Sequence, residues 1–212
     1  MTKDFLPKFL VYLAIAMPAS ARTIVIDANE ADKMAVISDA APRMSWMAYE
    51  ACTSVYTTSH IDLVPGRSFL IRFALSKIPA GQQITFAELI LPVQFHVKTD
   101  PRFYLWRVLP DWGPGVSHLY RMTLPVKVEW AVPGARGVSS DRATRPSAVV
   151  RVRASGEQVI NVTGDIELWY TGAAPNHGWM LTLEDPEIFI RFASPAWDAM
   201  SAWKLRITYE PE

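Results

Sequence analysis

Apolar and polar positions alternate most clearly in the middle of the chain, where Phe69, Ile71, Phe73 and Leu75 are interleaved with Leu70, Arg72 and Ala74 before Pro79-Ala80-Gly81. This period of two predicts a strand and then a turn. From Ile84 to Lys98, Leu89, Leu91, Val93, Phe95 and Val97 fall on one side, and Glu88, Pro92, Gln94, His96 and Lys98 on the other. Pro92 cannot donate to a ladder, which predicts an edge strand or a bulge there. A third strand is expected where Tyr104, Trp106 and Val108 alternate with Leu105, Arg107 and Leu109.

Between Gln158 and Leu183 the pattern reads strand, helix, strand. Val159, Ile160 and Val162 are β-branched, Thr163 is of N-cap type, and Ile166, Trp169 and Tyr170 share one face of a short helix that Gly172 ends. Trp179, Leu181 and Leu183 then alternate with Met180 and Thr182, as in a half-buried strand. Further strands are expected at Ile24–Ile26, around Val150 and Val152, at Glu187–Phe192 and at Lys204–Tyr209. Pro133–Pro146 reads as a long surface loop, and Lys33–Val64, with mixed signals, as loops with one or two short strands. Many short strands and one short helix predict an all-β fold, an antiparallel β-sandwich.

At the amino terminus, Lys3 and Lys8 flank the start of an uncharged run from Phe9 to Met17, followed by Ala19-Ser20-Ala21. That combination predicts a signal peptide over residues 1–21, a mature chain from Arg22, and a secreted location, extracellular or periplasmic. The run is too short for the roughly 20 apolar residues of a membrane span, so none is expected after cleavage. Residues 22–212 then form a single domain, long enough to bury a core. The mature chain carries 19 Lys and Arg against 20 Asp and Glu. Its cationic residues form no uninterrupted basic stripe, so nucleic acid is not an expected partner.

Chemistry-bearing motifs are sparse. The lone cysteine, Cys52, cannot close an internal disulfide and reads as a buried thiol. His60, His96, His118 and His177 show no metal-ligand spacing, and His96 and His177 read as surface residues. Asp27, Asn29, Glu30 and Asp32 offer clustered oxygens that suit structural calcium, but without a calcium-loop pattern; no cofactor is expected and any metal residue is unknown. No catalytic residue stands out. Eight tryptophans are the informative excess, because flat aromatic faces serve both cores and sugars. Trp106, Trp130, Trp169 and Trp179 lie in or beside predicted elements and read as core, whereas Trp46, Tyr49, Trp112 and Trp197 lie in turn-like surroundings and are the candidate ligand-binding residues.

Several landmarks between residues 66 and 209 occur in an order that resembles the DNRLRE domain family. They are Ser68 to Gly81 with Ala87-Glu88-Leu89, Trp106-Arg107-Val108 with Asp111-Trp112, Val128-Glu129-Trp130 with Ser140-Asp141, Asn161-Val162-Thr163, Gly178-Trp179, and Leu205 to Tyr209. The sequence departs from that pattern in lacking the six name-giving letters as a run, in Asn161, and in Pro195 after Ser194. The resemblance implies a secreted, jelly-roll-like β-sandwich, among whose relatives are alginate-binding modules, and it implies no catalytic residues. The expected function is therefore an exported non-catalytic binding or surface-structural protein, with a polysaccharide or cell-surface component as partner. The alternatives are an exported carbohydrate-active enzyme, a lyase or hydrolase, and a subunit of a cell-surface assembly. Oligomeric state is left open.

Overall fold

The computed structural model describes residues 20–49, 60–97, 100–194 and 203–211, with the backbone alone at residues 29 and 46–49. Its strands in the first half are β1 (Arg22–Asp27), β2 (Lys33–Ser38), β3 (Trp46–Tyr49), β4 (His60–Leu63), β5 (Arg67–Arg72), β6 (Gln82–His96) and β7 (Arg102–Arg107). A hairpin of β8 (Tyr120–Met122) and β9 (Val128–Glu129) follows, then β10 (Ala148–Arg151), β11 (Gly156–Asn161), helix α1 (Thr163–Tyr170), β12 (Trp179–Thr182), β13 (Ile190–Ala193) and β14 (Lys204–Pro211). Among the described residues no helix is long and apolar enough to cross a membrane.

Two antiparallel sheets form a β-sandwich. One runs β10-β7-β12-β5-β2-β3, and the other contains β1, β14, β6, β13 and β4 with β11 also on β6. β6 is the spine of the second sheet. Glu88 is shared by β11 and β14, and Val93 by β11 and β13, so β13 and β14 lie end to end along one side of β6. β6 is thus an interior strand. Pro92 sits where its partner changes from β14, which ends at Ile90, to β13, which begins at Val93, so the missing N–H falls at a break in the ladder.

The main core lies between the sheets, where Phe69, Phe103, Phe192 and Trp203 meet edge to face or tilted, with centroids 5.5–6.2 Å apart. A second core lies on the outer face of the β10–β3 sheet. There the connection from β7 to β10, residues 108–147, folds back as a cap, and its Trp112, Val116, Trp130 and Ala135 pack on Ala35, Ile37, Leu70, Trp106 and Met180. Sheet residues therefore split between two cores: Met34 and Val36 face inward, Ala35 and Ile37 face the cap.

This double burial corrects several expectations. β12 is not half-buried, because Trp179 and Leu181 enter the main core while Met180 enters the second. β2 falls within the poorly legible stretch, and every residue in it is buried, which erases the alternation that marks a one-sided strand. Pro133–Pro146 is not simply a surface loop. Ala135, Asp141 and Ala143 are buried, and Asp141 accepts the backbone N–H groups of Ala131, Val132 and Gly137 at 2.8, 2.8 and 2.9 Å. In α1, Ile166 and Trp169 are buried as the spacing predicts, and Gly172 at φ +74° terminates the segment. Val162 holds the N-cap position; Thr163 instead uses its hydroxyl to accept the N–H of Ala87 at 2.9 Å, tying the helix to β6.

Candidate functional site

The register of β2 against β5 places Lys33 opposite Arg72. At the same end of the sheet, Gly178 enters β12 at φ +76°, and a side chain there would run into the backbone of Ile71 and Arg72. Only glycine allows that approach, which brings His177 beside Arg72. From the cap, Asp111 and Trp112 descend onto the same point. Three sheet segments and the cap thus meet at one carboxylate.

Lys33 is buried, and its ammonium donates to Asp111 Oδ1 at 2.9 Å and to the Trp112 carbonyl at 2.6 Å. The Arg72 guanidinium pairs with Asp32 and reaches Asp111 Oδ1 at 3.5 Å. Arg121 donates to the Asp111 carbonyl, and the buried Trp112 indole donates to the His177 carbonyl at 2.8 Å. His177 Nδ1 lies 3.5 Å from Asp111 Oδ1, within ion-pair reach but long for a hydrogen bond. Burial alone would raise the Asp111 pKa, but the hydrogen bond and charge of Lys33, with the charges of His177 and Arg72, outweigh it and hold the carboxyl below its ordinary value. Burial pushes the His177 imidazole below its ordinary value despite the attraction of Asp111.

Asp111 is nevertheless 49% exposed, because it opens onto a cleft of about 610 Å³. Lys33 and Asp111 line one side; Met122, Leu124 and Pro125 from the cap line another. Leu124 is 62% exposed. The result is an amphipathic groove lined by a held carboxylate and by apolar side chains. At the opposite rim of the cap lies a second cleft, of about 450 Å³, lined by Asp39, Arg136, Arg142, Thr182 and Glu184.

The sequence-predicted ligand residues fare unequally. Trp112 belongs to the groove region but is fully buried under it, hydrogen-bonded at its indole nitrogen and near the Lys33 ammonium, so it supports the site rather than offering a ring face. The backbones of Trp46 and Tyr49 lie in β3, opposite Val36 and Lys33, which puts Tyr49 at the groove end of the sheet and Trp46 three residues away along the strand. Their side chains, and the whole of Trp197 and Cys52, lie outside the described residues. His177 is corrected from a surface turn residue to a largely buried member of the Asp111 network. Glu30 pairs with Lys77 and Asp32 with Arg72, and among the described residues no group of three or more His, Cys, Asp or Glu is placed to hold a metal.

Sequence reading missed Lys33, Arg72, Asp111 and His177 as a unit. Each is an ordinary residue in its local context, and only the strand register and the fold of the cap unite them. No family model matches the chain, and no curated protein matches it. The DNRLRE resemblance therefore rests on the residues quoted for it.

Proposed function

We propose that this is an exported, non-catalytic binding protein whose Asp111 groove holds a polysaccharide, and that the domain is a divergent jelly-roll-like relative of the DNRLRE modules. The observation that carries the reading is the amphipathic groove. A sugar ring has an apolar C–H face and a rim of hydroxyls; Leu124 and Pro125 match the first, and the Asp111 carboxylate accepts from the second. Among the described residues the ion-pair contacts of Asp111 run through Oδ1, which leaves Oδ2 as the acceptor for a ligand hydroxyl. Lys33, Arg72 and Arg121 hold the residue in place before binding, so little ordering entropy is lost when a ligand arrives.

Binding is favoured over hydrolysis because hydrolysis of a glycosidic bond needs a carboxyl that is protonated near neutral pH. The cations around Asp111 work against that state, and its neighbour Asp32 is paired with Arg72. Export rests on Lys3, Lys8, the apolar run and Ala19-Ser20-Ala21. The test is a glycan array followed by calorimetry on the wild type, Leu124→Ser and Asp111→Asn, with circular dichroism as the fold control. Each substitution is expected to weaken a bound glycan about tenfold, as for loss of one hydrogen bond to a charged group or one well-packed apolar contact. Unchanged binding in both folded variants, or no bound glycan, would sink the reading; turnover of a glycan would move the enzyme alternative ahead.

A further inference from the structure

The second cleft is built differently. Arg142 is carried by a turn of the cap that bridges Val108, just past β7, and is tied to it by the bond from Ala143 N–H to the Arg107 carbonyl. Its guanidinium carbon sits 3.8 Å from the centre of the Trp106 ring. That indole is fixed in turn, since its N–H donates to Thr182 Oγ1 at 3.0 Å and Tyr104 stacks on it with centroids 5.9 Å apart. Arg142 is thus held flat against a rigid surface with its rotamer entropy already lost. Its hydrogen bonding is nevertheless incomplete: among the described residues Nε is buried without a partner, and the carboxylate of Glu184 is 3.9 Å from NH1. Glu184 is 51% exposed and so is a loosely held counter-ion. Close by, burial pushes the His118 pKa below its ordinary value, with the charge of Arg136 and against the pull of Asp39, and among the described residues its buried Nδ1 also has no partner.

An unpartnered buried guanidinium nitrogen is an expensive feature to retain unless something uses it. We propose that the cleft between Arg136, Arg142 and Glu184 is a receptor for a singly charged oxyanion, a carboxylate or a sulfate ester, which displaces Glu184 from Arg142. The charge count sets the valence. The lining holds two guanidinium groups and two carboxylates, and movement of Glu184 out of the cleft leaves one positive charge to be met. A planar carboxylate and a sulfate ester both present the paired oxygens that a guanidinium fork accepts. No bond is made or broken. The site lies across the cap from the Asp111 groove and does not depend on it.

The displacement gives the proposal an unusual signature, in that removing a neighbouring acid should strengthen binding. The experiment is an NMR titration of the full chain that follows the arginine Nε–H signals, with glucuronate, a monosaccharide sulfate ester and neutral glucose as separate probes. Saturable shifts of the Arg142 signal are expected with at least one anion and none with glucose, and the tighter anion assigns the class. Glu184→Gln should tighten that anion a few-fold. Arg136→Ala, an exposed substitution, should weaken it, and Arg142→Gln should weaken it by about tenfold or more, as for one charge-assisted hydrogen bond. Asp111→Asn should leave the titration unchanged, which separates failure here from failure of the groove reading. Absence of a saturable shift with both anions, equal response to glucose, or weaker binding in Glu184→Gln would each overturn the proposal.

Discussion

Asp141 binds three amides of the cap at once, and its replacement by alanine tests that part of the structure. The side chain is buried in a turn where Oδ1 accepts from Ala131 N–H and Oδ2 from both Val132 and Gly137 N–H, at 2.8–2.9 Å. Gly137 is required beside it, since a β-carbon there would run into Ser140 Oγ and Asp141 Oδ2. Alanine at 141 removes three charge-assisted bonds at once. The amides of Ala131 and Val132 belong to exposed residues and can turn to water, so each loses about 1 kcal/mol net, whereas Gly137 is buried and its orphaned N–H costs about 1–3 kcal/mol. Relief of the desolvated carboxylate offsets part of this, leaving a loss of about 3 kcal/mol.

With a urea m-value of about 2 kcal/mol per molar, that loss lowers the unfolding midpoint by about 1.5 M. Tryptophan fluorescence would follow the transition, and hydrogen exchange would show whether the amides of Ala131, Val132 and Gly137 lose protection before those of β6 and β14. Asp141→Asn supplies a graded control. Its single acceptor can still serve Val132 and Gly137, but its amide group then faces the N–H of Ala131, so the loss should be intermediate. A loss under about 1 kcal/mol for alanine, or asparagine no better than alanine, would refute the reasoning.

Other outcomes follow from single features. Trp169→Ala should lower stability by about 3–5 kcal/mol, because the indole is buried with its centroid 4.6 Å from that of Trp179; a urea series giving under 1 kcal/mol would contradict the packing. Gly178→Ala and Gly172→Ala share a positive φ but differ in surroundings: the first meets the backbone of Ile71 and the second open space. About 1 kcal/mol is expected for Gly172→Ala and about 3 kcal/mol or more for Gly178→Ala, and thermal unfolding that ranks them in reverse would refute the close approach. Burial lowers the pKa values of both His118 and His177 from 6.5, so the unfolded chain binds more protons than the native one as pH falls through that value. Stability should therefore be complete above about pH 6.5 and decline below it, with Asp111 adding to the loss below 3.8. Urea midpoints at pH 7.5 and 5.5 test this, and a midpoint that rises on acidification would reverse the sign.

What the sequence made legible depended on how many faces of each strand are buried. β14 appears in the alternation, and α1 in its helical spacing, because local pattern and local structure coincide there. β2 does not, since Lys33–Ser38 is enclosed by the main core on one side and the cap on the other, and a strand buried on both faces has no polar phase to reveal it. Within the cap, Pro133–Pro146 reads as loop because its order comes from side chain to backbone bonds such as those of Asp141 and from tryptophan packing, neither of which has a period. The groove follows from the same cause. Lys33 and Arg72 become neighbours only once the β2 register is set, and Asp111 joins them only once the cap has folded over that sheet. A buried lysine in a strand would ordinarily be a fault. Here it is explained by the carboxylate and carbonyl that meet its ammonium, and that satisfaction fixes where the cap ends and the groove begins.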